Sequence, residues 1–196
     1  MGQAPGNRTA QADSVLVDGI RRGNLRDFSL LVERYKDRAY SLAARILSDP
    51  LSAEEAVQDA FVRAYRGIPS FRGDAAFSTW FYRIVYNCCL TRVRRLGPER
   101  ISLEEAAGEV PVSDELAADE ELDLRELTSL VERVLKELPP HWRAVITLYY
   151  IDELTYEQIA EVQGIPIGTV KTHLFRARKR MRKLMQDRYN VTEERI

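Results

Sequence analysis

Apolar positions along the first half of the chain recur at helical, not strand, spacing. Leu16 and Ile20, then Leu25, Phe28, Leu31, Val32 and Tyr35, continued by Ala39, Leu42, Ala43 and Ile46, keep one face apolar. Asp49-Pro50 interrupts that run. Ser52-Ala-Glu-Glu55 carries the spacing of a capping box and predicts a helix bearing Ala56, Val57, Ala60, Phe61 and Ala64, closed by Gly67 and Pro69. Beyond a loop at Phe71-Arg-Gly-Asp74, a third long helix is expected from about Phe77 to Arg95, stopped by Gly97-Pro98.

Residues 102–123 break the pattern. They hold nine acidic side chains, no basic or aromatic ones, and no apolar face wide enough to anchor a core, which is how a linker reads. Helical spacing resumes at Leu124, Leu127, Val131, Val134, Leu135 and Leu138, and is broken by Pro139-Pro140. Trp142, Val145, Ile146, Leu148 and Tyr149 predict the next helix. Thr155-Tyr-Glu-Gln158 is a second capping box, leading a short helix with Ile159, Ala160 and Val162 that ends at Gly164. Pro166 sits where a helix can start without its N–H, and the last helix carries Val170, Leu174, Ala177, Met181 and Leu184 on one stripe. No strand alternation is convincing, so the expected fold is all-α. Two small helical domains are joined by a flexible acidic linker, and the second contains a helix-turn-helix. The expected divisions are a disordered tail at 1–12, a first domain at 13–97, the linker at 98–123 and a second domain at 124–190, its helix-turn-helix at about 155–178.

Charge changes this picture only when it is divided. The 196 residues carry a net charge of −1, which taken whole argues against nucleic acid. Residues 1–97 hold 15 basic and 10 acidic side chains (+5), residues 98–123 hold 1 and 10 (−9), and residues 124–196 hold 13 and 10 (+3). Two basic modules therefore flank an acidic connector. Hydrophobic content of 45% supports a core, and no apolar run approaches the roughly 20 residues of a membrane span. No signal peptide is read at the start, so a cytoplasmic protein without membrane insertion is expected. Cys88 and Cys89 are adjacent and lie far from His141 and His173 in sequence, so they read as small buried residues of a reducing compartment, not as a disulfide or metal site. No Ser/His/Asp set, P-loop or Gly-rich cradle is present; neither an enzyme, a cofactor, a metal nor a small-molecule substrate is expected.

Three stretches carry candidate chemistry. The helix pair joined at Gln163-Gly164-Ile165 matches helix-turn-helix geometry, and seven basic residues with no acidic one lie between Lys171 and Gln186. Thr169, Lys171, Thr172 and His173 fall in the N-terminal turns that enter a major groove. Arg176, Arg178 and Arg180 follow. Between Phe71 and Tyr86 lie six of the chain's 17 aromatics. Phe77, Phe81, Ile84, Val85 and Cys88 suit a buried face, with Trp80 at its boundary. Arg83, Asn87, Arg94, Tyr82 and Tyr86 are expected to project elsewhere. Aromatics interleaved with Arg and Asn suit unpaired bases, each stacked base contributing ~1–3 kcal/mol, but a core stripe with incidental tyrosines fits the periodicity too. On the helix opening at Ser52, Glu54, Glu55, Gln58 and Asp59 make an acidic end. That suits the helix dipole, and it suits a protein partner better than phosphate.

Together these pieces resemble the sigma-70 family, specifically its extracytoplasmic function (ECF) subfamily, from about Val15 to Met185. Ala53-Glu-Glu-Ala-Val-Gln-Asp-Ala-Phe61-Val-Arg-Ala-Tyr65 looks like the family's core-polymerase-binding helix in region 2. Phe71-Arg-Gly with Phe77-Ser-Thr-Trp80-Phe-Tyr-Arg-Ile84-Val-Tyr-Asn87 looks like its promoter-melting and −10-reading segment. Leu138-Pro139-Pro140, Tyr149-Ile151 and Leu154 to Ala160 are similar to region 4, and Pro166 to Arg178 to its −35-reading helix. The sequence departs from common forms at Ala53-Glu54 and Gln58-Asp59, where the charges survive, and at His173, where Arg is frequent.

The resemblance implies a factor that binds core RNA polymerase and directs promoter-specific initiation. It assigns Glu54, Glu55, Gln58, Asp59, Phe61 and Arg63 to core polymerase, whose largest-subunit clamp helices and flap would be the docking points. It assigns Phe71, Arg72, Asp74, Trp80, Tyr82, Arg83, Tyr86 and Asn87 to single-stranded −10 DNA. It assigns Thr169, Lys171, Thr172, His173, Arg176, Arg178 and Arg180 to duplex −35 DNA. An anti-sigma factor, a linker threading the polymerase's RNA exit path, and nucleoid association through polymerase are implied as well. A stand-alone helix-turn-helix regulator of duplex operators is the alternative from the same area, and a protein-interaction adaptor the alternative from another class.

Overall fold

The computed structural model describes residues 5–95 and 124–189, with side chains for 12–95 and 127–187. The expected linker at 98–123 lies outside the described residues. Eight α-helices occur in chain order, and no strand is found among the described residues: α1 (Pro5–Arg21), α2 (Leu25–Leu47), α3 (Pro50–Gly67), α4 (Phe77–Arg95), α5 (Leu124–Lys136), α6 (Pro140–Tyr150), α7 (Tyr156–Gln163) and α8 (Ile167–Tyr189). No described helix is long and apolar enough to cross a membrane.

Local chemistry sets most boundaries. The Asn24 side chain accepts from the Arg26 amide to start α2, and Ser48, in the left-handed region at φ 58°, ends it. α3 begins at Pro50, not at Ser52. Asp49 is its N-cap, its carboxylate accepting from the Ser52 amide at 2.8 Å, with Pro50 in the first turn where no N–H is needed. The Ser52–Glu55 capping box is thus corrected to an Asp49 cap, which also holds the Asp49 carboxyl below the usual carboxylate range through its bonds from Ser52. At the amino end, α1 reaches back to Pro5, across most of the stretch expected to be a disordered tail. Asp13 explains what ties that helix down: its buried carboxylate accepts from the Tyr35 hydroxyl and the Arg34 guanidinium of α2.

α1 to α4 pack around Leu31, Tyr35, Leu42, Ile46, Ile68, Phe81 and Val85, all essentially sealed from solvent. The aromatic centre is continuous: Tyr35 lies 5.5 Å from Phe77 and 5.7 Å from Phe81, and Phe61 4.7 Å from Phe81. Burying a ring such as Phe81 contributes about 1.5–3 kcal/mol. α5 to α8 form the second bundle around Val134, Val145, Leu148, Ile159, Val170 and Leu174. The bundles are also in contact. α2 packs on α6 and α4 packs on α7, a union that the period of the sequence does not contain.

Candidate nucleic-acid and polymerase interfaces

On α3 the small residues Ala53, Ala56, Ala60 and Ala64 are buried, letting the helix approach its neighbours closely. Glu54, Glu55, Gln58, Asp59 and Arg63 therefore point to solvent, as the sequence predicts. Phe61 is half-buried. It sits edge-on to Phe28, which packs edge-on to Tyr65 at 4.9 Å. Val62, Tyr65 and Leu25 are exposed beside it, so the acidic end continues into an apolar shoulder. Sequence reasoning missed Arg92. From α4 it reaches Asp59 at 2.7 Å and Glu55 at 3.9 Å, and only 17% of its side chain is exposed. No local pattern pairs positions 33 residues apart, which is why it escaped notice.

The next surface is the loop after α3 and the outer face of α4. Arg21 donates to the backbone carbonyls of Phe71 and Ile68, fixing the loop against α1. Phe71 packs on Trp80 at 4.9 Å, and Trp80 on Phe77 at 5.6 Å. A Cβ on Gly67 would come 3.0 Å from the Trp80 ring, so the glycine gives the indole its seat. Arg72, Asp74, Arg83 and Asn87 are exposed, and Phe71 and Trp80 are partly so.

Tyr82 and Tyr86 do not project to solvent. They are 2% and 5% exposed, a correction to the helical-face reading. The Tyr82 hydroxyl donates to Asp152 Oδ1 at 2.9 Å, across the contact between the bundles. Burial raises the Tyr82 phenol and pushes Tyr86 up to about 12. Ile84, expected in the core, is only half-buried. Cys88 and Cys89 are buried free thiols, Cys89 pushed up to about 12 by burial.

The third surface is the helix-turn-helix. The Thr155 capping box is complete: the Thr155 amide donates to Gln158 Oε1 at 2.9 Å and the Gln158 amide to Thr155 Oγ1 at 3.3 Å. Gly164, at φ 68°, turns the chain into α8. Lys171, Thr172, Arg176 and Arg178 are exposed, while Thr169 and Arg180 are partly covered. Arg178 lies over the rings of Tyr149 and Tyr150 at 5.5 and 5.3 Å, and Lys171 over Tyr156 at 5.8 Å. Tyr149 stacks on Tyr156 at 5.3 Å, so a tyrosine ledge aims both cations.

His173 is turned inward against His141, with ring centroids 4.8 Å apart. Its Nδ1 is buried without a hydrogen-bond partner among the described residues. Burial and His173 push His141 down to about 4, and burial with Arg176 lowers His173. Both rings are thus neutral near pH 7. Phe175 was missed by the sequence reading. It is 67% exposed and shares a helix face with Lys171 and Arg178. An exposed ring in a basic stripe is the available clue. No group of three or more His, Cys, Asp or Glu among the described residues could hold a metal ion.

Two family models match separate stretches of the chain. Sigma-70 region 2 matches residues 31–98, and Sigma-70, region 4 matches residues 128–181. The ECF RNA polymerase sigma factor SigW of Bacillus subtilis (strain 168) is 37% identical over 175 residues, 86% of this chain and 94% of the relative. The ECF RNA polymerase sigma-E factor of Escherichia coli (strain K12) is 38% identical over 174 residues, covering 85% and 91%. Among solved structures, CnrH in complex with the cytosolic domain of CnrY aligns with a TM-score of 0.66 at 25% identity, covering 89% of this chain and 97% of that one. The sigma factor RpoE in complex with the anti-sigma factor NepR from Bartonella quintana aligns at 0.62 and 25%, covering 82% and 98%. By these matches over both bundles, the chain belongs to the ECF sigma factors of the sigma-70 family, initiation factors that are not enzymes and that direct RNA polymerase to promoters.

Proposed function

We propose a residue-level division of this sigma factor's work. Glu54, Glu55, Gln58 and Asp59, with Arg63 and the apolar shoulder of Phe61, Val62 and Tyr65, meet the basic clamp helices of the polymerase largest subunit, while the second bundle meets the flap. Phe71, Arg72, Asp74, Trp80, Arg83 and Asn87 hold single-stranded −10 bases. The Phe71–Trp80 pair offers a ring face for stacking and Asn87 an amide for a base edge. Thr169, Lys171, Thr172, Arg176, Arg178 and Arg180 engage the −35 duplex and its phosphates, and Phe175 is placed to touch a thymine methyl. His173 serves this surface from beneath, setting the pitch of α8 against His141. Tyr82 and Tyr86, 2% and 5% exposed, reach −10 DNA only after a rearrangement that uncovers them.

The observation that carries this reading is the tyrosine ledge under Lys171 and Arg178, because it aims two cations outward from the helix-turn-helix. Isolated DNA binding is weak, and docking on polymerase joins two weak contacts into one strong one. The structural relative RpoE is solved with the anti-sigma factor NepR, which supports an anti-sigma protein for this chain as well. The working place is the cytoplasm, at the nucleoid when polymerase-bound.

Run-off transcription with core polymerase and a promoter library tests the assignment. Wild type should produce new start sites. Arg176→Ala should abolish those that depend on a −35 element while leaving holoenzyme assembly intact. Unchanged start sites with Arg176→Ala and Arg178→Ala together would remove the −35 assignment.

A further inference from the structure

We propose that Arg21, on α1 and ahead of the stretch matched by region 2, is a positioning residue for −10 reading. Its guanidinium sets where the Phe71–Asp74 loop stands, and so how sharply that loop tells one unpaired base from another. The inference rests on the assignment of this loop to melted −10 DNA. Arg72, Gly73 and Asp74 are exposed, and among the described residues no hydrogen bond or ion pair reaches them. Gly73, at φ 80°, takes a left-handed turn that a side chain would strain. The placement of the loop is therefore decided at its first residue, Phe71.

Arg21 grips that residue through a fork. Its Nε donates to the Ile68 carbonyl at 3.4 Å and its Nη2 to the Phe71 carbonyl, so the two arms bracket the 3₁₀ turn at Ile68–Ser70. Asp18, one turn earlier on α1, takes Nη1 at 3.1 Å and fixes the plane of the guanidinium. The end of α1 is itself anchored. A Cβ on Gly19 would lie 1.7 Å from Asp27 Oδ2, so α1 and α2 meet there as closely as a glycine allows. The Asn24 amide donates to the Gly19 carbonyl at 3.0 Å, and Asp13 ties the same helix to Arg34 and Tyr35. On the far side, the Phe71 ring lies 4.9 Å from Trp80 and 6.1 Å from Phe77. Losing the fork frees the backbone that carries Arg72 and Asp74, while the ring packing and the core beneath it stay in place. Lysine would keep the charge without the fork, because its ammonium is a point charge on a flexible stem.

The test uses the full chain assembled on core polymerase and a promoter that wild-type holoenzyme selects in run-off transcription. Fluorescent fork-junction probes carry its −35 element as duplex and its −10 non-template strand unpaired, either matched or with one −10 base substituted at a time. By anisotropy, wild-type holoenzyme should prefer the matched probe. Arg21→Ala should cut that preference about fivefold, the worth of one or two hydrogen bonds, with holoenzyme assembly and melting temperature unchanged. Arg21→Lys should recover only part of it. Full recovery by Arg21→Lys would mean charge acting on phosphate and would overturn the positioning role, as would an unchanged preference in Arg21→Ala. A uniform loss on every probe, with a lower melting temperature, would make Arg21 a residue of the fold alone and overturn it too. Arg72→Ala and Asp74→Ala report on the assignment beneath. If neither alters the preference, the loop does not read −10 bases and both readings fall. If either does while Arg21→Ala does not, only the positioning role falls.

Discussion

Phe175 and His173 sit two positions apart on α8 and show how little a residue type says about its place. The histidine carries the polar ring suited to reading a base, yet it is folded against His141. The phenylalanine has the ring expected in a core and stands in solvent. Replacing Phe175 with Ala should weaken −35 duplex binding by the holoenzyme about fivefold at sites with a thymine beneath the ring, and leave sites lacking it unchanged, read by fluorescence anisotropy. The histidine pair carries a pH prediction. His141 is lowered in the folded protein from the ordinary 6.5 to about 4, so the unfolded chain binds more protons between those values. The associated stability is complete above pH 6.5 and is lost progressively as pH falls toward 4, on the order of 1–2 kcal/mol by pH 5. Thermal melts of wild type should fall across that window, and those of His141→Gln should fall less.

At the scale of the element, caps and punctuation were legible and lateral partners were not. Thr155–Gln158 and Gly164 stand where local chemistry put them, because a cap is a hydrogen bond between residues three or four apart. Thr155→Ala should therefore cost about 1 kcal/mol of the second bundle's stability in urea denaturation. Ser52 misled for the same reason: Asp49 offers an equally local cap one turn earlier, with a proline to follow it. The acidic face of α3 was visible from spacing, but its guanidinium cover was not, since Arg92 reaches it from another helix. Glu54, which bonds only its neighbour Gln58 within the acidic set, is the acid left most open to a partner. Glu54→Lys should lower core polymerase affinity about tenfold in a competition assay without changing the melting temperature.

At the scale of the molecule, the contact between the bundles buries a titratable group. Asp152 is buried at the joint, with the Tyr82 hydroxyl from α4 and the charges of Arg38 and Arg45 from α2 around it, and its carboxyl is pushed up to about 6, chiefly by burial. A group whose pKa is raised on folding supports the folded state most fully below its ordinary value, near 4, and loses that contribution as pH rises through about 6. At pH 7.5 the folded chain holds a charged carboxylate there at a cost on the order of 1–3 kcal/mol. Asp152→Asn keeps an oxygen for Tyr82 and removes that cost. It should raise the melting temperature at pH 7.5 and flatten the fall in stability that wild type is expected to show between pH 4 and 6.

The sequence by itself determined the helices, the acidic connector between two basic modules, the capped helix-turn-helix and the acidic polymerase-type helix. Each of these depends on residues within a turn or two of one another, or on charge summed along the chain. Only the tertiary structure decided that Tyr82 and Tyr86 are hidden, that His173 turns inward, that Arg92 covers Glu55 and Asp59, and that the two bundles meet at Asp152. Helical period names the apolar face of each helix. It cannot say whether a second face will be sealed by a helix 70 residues away, because that burial depends on packing among elements whose separation along the chain leaves no trace in local spacing.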